Sequence, residues 1–247
     1  CWYCLSGKSN ICNKMQMLGN HINGAYAEYC TVKAKDIIKI PDNVSFEEAA
    51  IISDAITTAY HAVVNRAKIT NRHKVIVIGC GGIGLSIIKI LKYLGAKVFA
   101  IDTIPDKTIL AQNYGASASS NITNKENVEF IKRHLAPNID YIFDAVGNND
   151  SFELATKLMT PGSTLCVVGY NSNKVPISLG KLMFQEQNII GSLGCKVEDF
   201  ETVINLVSKG KIEVKSLISH RFKLEEINKA LDLLRKGTSV RSVIVFD

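Results

Sequence analysis

Three cysteines near the start of the chain have a spacing that suits a metal ion. Cys1, Cys4 and Cys12 form a C-x2-C-x7-C pattern. Structural zinc takes four ligands in a tetrahedron, and thiolates are among its preferred donors. Two cysteines separated by two residues can bind one ion, and a third extends the set. The pattern predicts a structural zinc site, with a metal-free thiol cluster as the alternative. A redox pair is disfavoured because no preceding strand leads into it.

A glycine-rich stretch forms the second candidate site. Residues 79–84 read GCGGIG and match G-x-G-x-x-G. The β-branched run 74–78 precedes them, and residues 85–94 follow with helical apolar spacing. A second apolar run then ends in Asp102. A strand, a glycine turn, a helix, a strand and an acid are the context that a dinucleotide fingerprint requires, so we predict nucleotide binding. A turn that needs glycine only for packing is the alternative.

Each part of this fingerprint has a physical role. Gly79 allows the tight turn, Gly81 lets the backbone approach a pyrophosphate, and Gly84 lets the helix and strand pack closely. The N–H groups and the dipole at the helix start favour phosphates. Asp102 can accept hydrogen bonds from a ribose and would repel a 2′-phosphate, so the sequence favours NAD over NADP.

A single acid lies in an otherwise uncharged, partly apolar stretch. Asp54 belongs to residues 53–62, SDAITTAYHA. If this acid is buried, it needs a partner, which can be a metal ion or a hydrogen-bonding cap. The helix that leads into the stretch is expected to begin at Ser45, because Ser45 and Glu48 match a capping box.

The order of the predicted elements indicates an α/β fold. Strands that alternate with helices form a parallel sheet covered on both faces, with ligands at the carboxyl ends of the strands. That edge would hold Gly79, Asp102, 146–147 and 168–169. The predicted strands are 25–32, 36–40, 74–78, 98–101, 140–147 (a strand that leads into a turn), 164–169, 188–191, 217–219 and 243–246, with a hairpin at 23–24. The predicted helices are 45–52, 85–94, 107–114, 124–135, 151–159, 198–209 and 224–236.

Composition and charge exclude several classes of protein. The 247 residues are 47% hydrophobic and 21% charged, as in globular proteins. The net charge is +6, but the basic residues are scattered, so nucleic-acid binding is not expected. The uncharged, strongly apolar stretch 75–88 is too short for a membrane span and contains glycines. No signal peptide is visible, and four isolated cysteines suit a reducing cytoplasm.

Together these motifs resemble those of the zinc-dependent medium-chain alcohol dehydrogenases, specifically the archaeal and bacterial NAD-dependent branch. The resemblance covers essentially the whole chain. It is carried by the cysteine spacing, by the glycine loop, and by residues 24–29, 54–62, 143–147, 167–170 and 191–193.

The resemblance implies a fold and its boundaries. In this family a doubly wound parallel Rossmann sheet is inserted in a GroES-like, β-rich catalytic domain. Here residues 1–54 would be the end of a partial catalytic domain with the structural zinc lobe. Residues 55–192 would bind NAD, and residues 193–247 would return to the catalytic domain.

The resemblance also implies cofactors and site residues. Asp54 would be a catalytic residue and a ligand of a catalytic zinc, with a structural acid as the alternative. Thr58 and Lys107 would contact the cofactor, although a buried helix hydroxyl and a solvated lysine remain open for them. The implied cofactor-binding set is Thr58, Gly79, Gly81, Gly82, Ile83, Gly84, Asp102, Lys107, Val146, Val168, Gly169, Ser192 and Leu193. The implied structural zinc ligands are Cys1, Cys4 and Cys12.

The implied activity is hydride transfer between a small alcohol or carbonyl substrate and NAD, with zinc as Lewis acid. The family's other catalytic zinc ligands and its first structural ligand precede the segment that begins at Cys1. We therefore expect this chain alone to bind NAD without turnover. A homodimer or homotetramer is also implied. A zinc-free NADPH-dependent reductase and a catalytically incomplete NAD-binding fragment are the alternatives, and Asp102 and the cysteine lobe argue against the reductase.

Overall fold

The chain divides into two compact units. A computed structural model describes residues 1–121, 128, 131 and 138–246. One unit consists of Cys1–Thr57 together with Leu193–Asp247, and the other consists of Thr58–Ser192.

A six-stranded parallel sheet forms the unit Thr58–Ser192. Its strand order is β3-β2-β1-β4-β5-β6, so the order reverses between β1 and β4. Such a reversal opens a crevice at the carboxyl ends of the strands. This sheet confirms the predicted doubly wound α/β architecture. The strands are β1 (Lys74–Ile78), β2 (Lys97–Asp102), β3 (Ala118–Asn121), β4 (Tyr141–Asp144), β5 (Thr164–Val167) and β6 (Asn188–Gly191).

Helices cover this sheet because their apolar residues pack on it. Helix α4 (Gly82–Leu94) buries seven residues and ends at Gly95, whose φ of 77° is the left-handed cap that glycine favours. Helix α5 (Pro105–Tyr114) packs against β2 and β3. Helix α6 (Asn149–Leu158) packs against β4 and contributes Phe152 and Leu158 to the core.

Two elements of this unit are not predicted by the sequence. Strand β3 reads ASSN, so its small polar residues carry no strand pattern, and backbone pairing with β2 defines it. Helix α7 (Leu179–Phe184) is short and begins at the Ser178 cap. Of the predicted helix 124–135, Val128 and Ile131 are described and helical, and the rest lies outside the described residues.

The other unit has little regular structure before residue 45. It contains α1 (Trp2–Leu5) and two short 3-10 turns, Ser9–Ile11 and Ala34–Asp36. The predicted hairpin at 23–24 and strands 25–32 and 36–40 are wrong. A strand needs a neighbour for its backbone groups, and no described residue pairs with these segments. Tyr29 is 90% exposed, so its ring packs against little else.

The segment from residue 46 to 66 is helical throughout. The Ser45–Glu48 capping box is present and starts α2 (Phe46–Ile51). A π-helical segment, Ile52–Ile56, follows, and then α3 (Thr57–Tyr60) and a second π-helical segment, His61–Arg66. Such π-helical turns are frequent at functional sites.

The return segment completes the unit of Cys1–Thr57. It contains α8 (Val197–Ser208), β7 (Ile218–Phe222), α9 (Ile227–Arg235) and β8 (Arg241–Ile244). The parallel pair β7–β8 is covered by α9, and α2 packs against β8. The observed strand β8 begins and ends two residues earlier in the sequence than the predicted strand 243–246. Within the described part of the chain, none of the helices has the length and apolarity to cross a membrane.

Candidate functional site

The turn after β1 can be built only with glycine at two positions. Gly79 has φ 89°, and a β-carbon there would lie 2.5 Å from a methyl group of Val146. A β-carbon at Gly84 would overlap the carbonyl oxygen of Gly79. The start of α4 is thereby held directly against the end of β1, as the fingerprint predicts.

Gly81 differs because the space beside it is open. It is the N-cap of α4, and no side chain caps this helix end. A β-carbon at Gly81 would meet no atom within 4 Å, and its φ of −81° suits any residue. Gly82 and Ile83 form the first turn and are partly exposed. The fold itself therefore does not require glycine at position 81. Glycine there leaves room for a bound group to approach the backbone.

Asp102 lies at the end of β2 beside this turn. Its Oδ2 accepts a hydrogen bond from the Cys80 N–H at 2.7 Å, and its Oδ1 accepts one from the Ile104 N–H at 2.9 Å. Burial, with the nearby Asp102 charge adding to it, raises the pKa of the Cys80 thiol to about 12. Lys107, in the first turn of α5, partly opposes that rise. The Asp102 carboxylate stabilises the turn through these two hydrogen bonds, and its remaining lone pairs can still accept hydrogen bonds from a ligand.

The buried carboxylate of Asp144 organises the loop after β4. Its Oδ1 accepts hydrogen bonds from the N–H groups of Val146 and Gly147, both at 3.0 Å, and its Oδ2 accepts one from the Ser151 hydroxyl. Its carbonyl oxygen accepts bonds from the N–H groups of Val168 and Gly169. No role for Asp144 was predicted from the sequence. An acid at the end of a buried strand, followed by a glycine three residues later, was the available signal.

Gly147 and Gly169 bring the loops after β4 and β5 into backbone contact. A β-carbon on either residue would overlap backbone atoms of the other. This contact positions Val146, which is 43% exposed, and Val168 at the same sheet edge.

A cavity of about 620 Å³ lies at this edge. The glycine turn, the end of β2 and helix α6 form its walls. Of the predicted cofactor residues, Gly79, Asp102 and Val146 line it together. The lining residues are Ile78, Gly79, Ile101, Asp102, Thr103, Val128, Val146, Asn148, Asp150, Ser151, Glu153, Leu154 and Lys157.

The other ten of the thirteen predicted cofactor residues are not part of this lining, among them Thr58, Ser192 and Leu193. Thr58 is partly buried in α3. Ser192 donates its backbone N–H to the Val167 carbonyl at 3.0 Å, and its hydroxyl oxygen is buried without a hydrogen-bond partner. Leu193 begins the return segment, and its carbonyl oxygen accepts a bond from the Asn10 side chain.

The cysteine cluster has the geometry of a tetrahedral metal site. The sulfurs of Cys1, Cys4 and Cys12 all lie within 4.8 Å of one another, and Cys1 Sγ is 3.7 Å from each of the other two. Zinc–sulfur bonds of 2.3 Å place the sulfurs of a tetrahedron about 3.8 Å apart. A hydrogen bond from the Lys14 N–H is the largest of the effects that lower the pKa of Cys12. The three thiols therefore fit the zinc ion that the spacing predicts.

Asp54 is not the buried acid that the sequence suggests. Its neighbours Ile52, Ala55 and Ile56 are buried, but its own side chain is 70% exposed. Its carboxylate lies 3.5 Å from the Arg241 guanidinium. The helical segment directs the apolar residues inward and leaves Asp54 on the opposite face.

The described residues offer no complete catalytic zinc site. Among them, the cysteine cluster is the only group of three or more potential ligands within reach of one ion. Asp54 alone cannot hold zinc, which needs at least three protein ligands in catalytic sites.

Arg241, on β8, is the partner of Asp54 that sequence reasoning missed. Its side chain is 25% exposed, and its Nε is buried without a hydrogen-bond partner. Burial lowers the pKa of the guanidinium, and Asp54 opposes this. An arginine within an apolar strand pattern was the only local signal. Arg241 and Asp54 lie 187 positions apart in the sequence, so no local pattern reveals the pairing.

Comparison with known proteins identifies the family. A model of zinc-binding dehydrogenases matches residues 82–209, and one of the alcohol dehydrogenase GroES-like domain matches residues 1–42. An alcohol dehydrogenase from Geobacillus stearothermophilus is 33% identical over 240 residues, which cover 96% of this chain and 69% of the relative. The chain belongs to the zinc-binding dehydrogenase family. The GroES-like match and the parallel sheet confirm the predicted fold class.

Other relatives of this zinc-binding dehydrogenase agree. D-xylulose reductase A from Aspergillus oryzae is 28% identical over 251 residues, covering 99% of this chain and 70% of the relative. A solved alcohol dehydrogenase from Escherichia coli CFT073, in complex with NADH, is 27% identical with a TM-score of 0.92. It aligns with 100% of this chain, which covers 73% of it. The chain is thus an oxidoreductase of the alcohol dehydrogenase type, as predicted.

Proposed function

We propose that this zinc-binding dehydrogenase uses NAD to interconvert a small alcohol, such as a primary, secondary or polyol substrate, and its aldehyde or ketone. The observation that carries the proposal is the cavity at which Gly79, Asp102 and Val146 meet. The Escherichia coli relative solved with NADH supports the choice of cofactor.

The cavity and the glycine turn beside it each have a part in holding NAD. The open backbone at Gly81, with Gly82, Ile83 and the uncapped start of α4, binds the pyrophosphate, because free N–H groups and the helix dipole favour anions. Asp102 accepts hydrogen bonds from the adenosine ribose, and Lys107 lies at the same sheet edge. Apolar side chains of the cavity, Ile78, Ile101 and Leu154 among them, suit a flat base.

The nicotinamide end is assigned from the family resemblance. Thr58 is proposed to contact it, and Val146, Val168 and Gly169 are proposed to line that end. Ser192 and Leu193 are proposed to bind the cofactor at the same edge. NAD supplies the hydride acceptor, and the protein orients the ring and excludes water. The buried Asp144 supports this end because it fixes the Val146 and Val168 loops.

Two metal roles are proposed separately. Cys1, Cys4 and Cys12 hold a structural zinc, which fastens the segment before residue 14. Asp54 is proposed, from the resemblance alone, as one ligand of a catalytic zinc. Metal analysis of the purified chain tests the second role, which is supported if the chain holds a zinc ion beyond the cysteine site and Asp54→Asn removes it.

A second copy of the chain is proposed to pair with the edge strand β6. This strand lies at the end of the sheet, and an unpaired edge invites pairing. The helix before it exposes Leu179, Met183 and Phe184, of which Phe184 is 82% exposed. Analytical ultracentrifugation tests this: Phe184→Asp should convert a dimer into a monomer, and Phe246→Asp, at another exposed phenylalanine, should not.

An NADH titration and a turnover assay test the function. NADH should bind in a one-to-one ratio, and the assay should reduce NAD with an alcohol panel if the protein holds a complete site. Binding without turnover favours the second candidate, an NAD-binding protein that lacks catalysis. That candidate is supported by Asp54, which pairs with Arg241 and belongs to no group of three or more potential metal ligands among the described residues.

A further inference from the structure

The part of the cavity wall that helix α6 contributes is acidic. Asp150, Glu153, Leu154 and Lys157 of α6 all line the cavity. Their spacing of three, four and seven residues places them on one face of the helix. This face is not part of the glycine fingerprint, and neither the resemblance nor the comparisons give it a role.

The charges of the cavity wall are unbalanced. Among the residues that the structure describes, its carboxylates are those of Asp102, Asp150 and Glu153, and its one ammonium is that of Lys157. Three negative charges and one positive charge leave a net charge of −2. Lys157 forms an ion pair with Glu153 one helical turn away, so these two charges largely offset each other and the net charge of −2 is that of Asp102 and Asp150. The wall therefore repels a further dianion.

The start of α6 does not offset this repulsion. A helix N-terminus can bind phosphate through its free N–H groups. Here the Asn148 side chain accepts the Ser151 N–H at 2.8 Å, and the Ser151 hydroxyl accepts the Asn148 N–H at 3.1 Å. Asp150 lies in the first turn, where its negative charge offsets the positive end of the helix dipole and so weakens the attraction of this helix end for a phosphate.

We propose that Asp150 and Glu153 are specificity-determining residues that exclude the 2′-phosphate of NADP. The proposal rests on the NAD function proposed above and deepens it. Asp102 is bound to the turn through the Cys80 and Ile104 N–H groups, so its substitution disturbs the binding of both dinucleotides. The two α6 carboxylates make no such bond to the turn. The two α6 carboxylates repel a negatively charged ligand, whereas Asp102 fixes the geometry of the glycine turn.

A series of variants of the full chain, each of which removes a charge with little change in side-chain size, tests the proposal. The ratio of the dissociation constants of NADPH and NADH is measured by fluorescence titration at low salt. Asp150→Asn and Glu153→Gln should each lower this ratio about 2- to 5-fold, as expected for partly screened charges. The double variant should lower it further, and Lys157→Gln should raise it. The differences should shrink in 0.5 M salt, because salt screens exposed charges.

Glu186→Gln is the matched control. It removes one exposed negative charge from the same unit at a position that does not line the cavity. The control should leave the ratio unchanged. If NADH still binds and the ratio is equal in the double variant and the wild type, the proposed role of α6 in specificity is wrong, but the proposed NAD function stands. If neither dinucleotide binds to the wild type, the proposed function falls as well.

Discussion

The Asp102 carboxylate accepts a 2.7 Å hydrogen bond from the Cys80 N–H within the glycine turn. The same side chain that is proposed to read the ribose therefore also fixes the loop that is proposed to hold the pyrophosphate. Recognition of the sugar and the shape of the turn are coupled through one residue.

Asp102→Asn should weaken both stability and binding. An asparagine keeps one acceptor oxygen, so one of the Cys80 and Ile104 N–H groups loses its partner. An unsatisfied group of this kind costs about 1–3 kcal/mol. We expect the free energy of unfolding to fall by that amount in urea denaturation, and NADH affinity to fall at least about tenfold. Asp106→Asn, at an exposed acid in α5, should change neither quantity.

Gly84→Ala should be among the most destabilising single-methyl additions in the chain. Its methyl group would overlap the Gly79 carbonyl oxygen, so either the turn or α4 must move. We expect a loss of more than about 3 kcal/mol, beyond the usual cost of overpacking, by urea denaturation. Gly180→Ala, where a methyl group meets open space, should be close to neutral. Equal stability of the two variants would contradict the close approach of α4 to β1.

The two buried thiols make stability depend on pH above 9. Burial raises the pKa of both Cys80 and Cys166 to about 12, compared with 9.0 for an ordinary thiol. Because the folded pKa is raised, their contribution is complete below pH 9 and is lost between pH 9 and 12, where only the unfolded chain ionises. The slope is up to about 1.4 kcal/mol per pH unit per thiol.

This slope can be isolated with a cysteine variant. Urea midpoints at pH 8, 9 and 10 should fall less steeply for Cys166→Ala than for the wild type, whatever its stability at pH 8. Cys30→Ser changes an exposed thiol and should keep the wild-type slope. The burial effect is absent if all three proteins lose stability in parallel.

Zinc should be bound by the three N-terminal cysteines. We expect at least one zinc per chain by atomic emission, and a loss of one equivalent in Cys4→Ser, because two thiolates do not complete a structural site. Cys30→Ser, which lies outside the cluster, should retain the ion. Chelation should lower the melting temperature of the wild type more than that of Cys4→Ser. Equal zinc in wild type and Cys4→Ser would disprove the assignment.

Features with a local cause could be predicted from the sequence. Gly79, Gly84 and Asp102 were predicted because turn geometry, helix packing and the ends of strands depend on residues that are close in the sequence. The strands expected at 25–32 failed because pairing depends on a neighbour that no local pattern reveals. Strand β3 was missed for the converse reason, since β2 imposes its pairing on a polar sequence.

The candidate site shows the same division. The pairing of Asp54 with Arg241 joins distant parts of the sequence, so neither the exposure of Asp54 nor its partner could be foreseen. Asp144 was visible as part of a motif, but its five hydrogen bonds depend on how the loops after β4 and β5 meet. The acidic face of α6 is periodic in the sequence, but only the fold shows that it lines the same cavity as Asp102.

NADH titration of Gly81→Val tests the central claim most directly. A side chain at position 81 enters open space and requires no unusual φ, so the fold should tolerate it. The same side chain would occupy the space that we assign to the pyrophosphate. Gly180→Val is the control, since glycine 180 is equally open, and both are compared with the wild type at equal oligomeric state. We predict that Gly81→Val melts within a few degrees of the control and binds NADH at least about 100-fold more weakly. Wild-type NADH affinity in folded Gly81→Val would contradict a dinucleotide site at this turn.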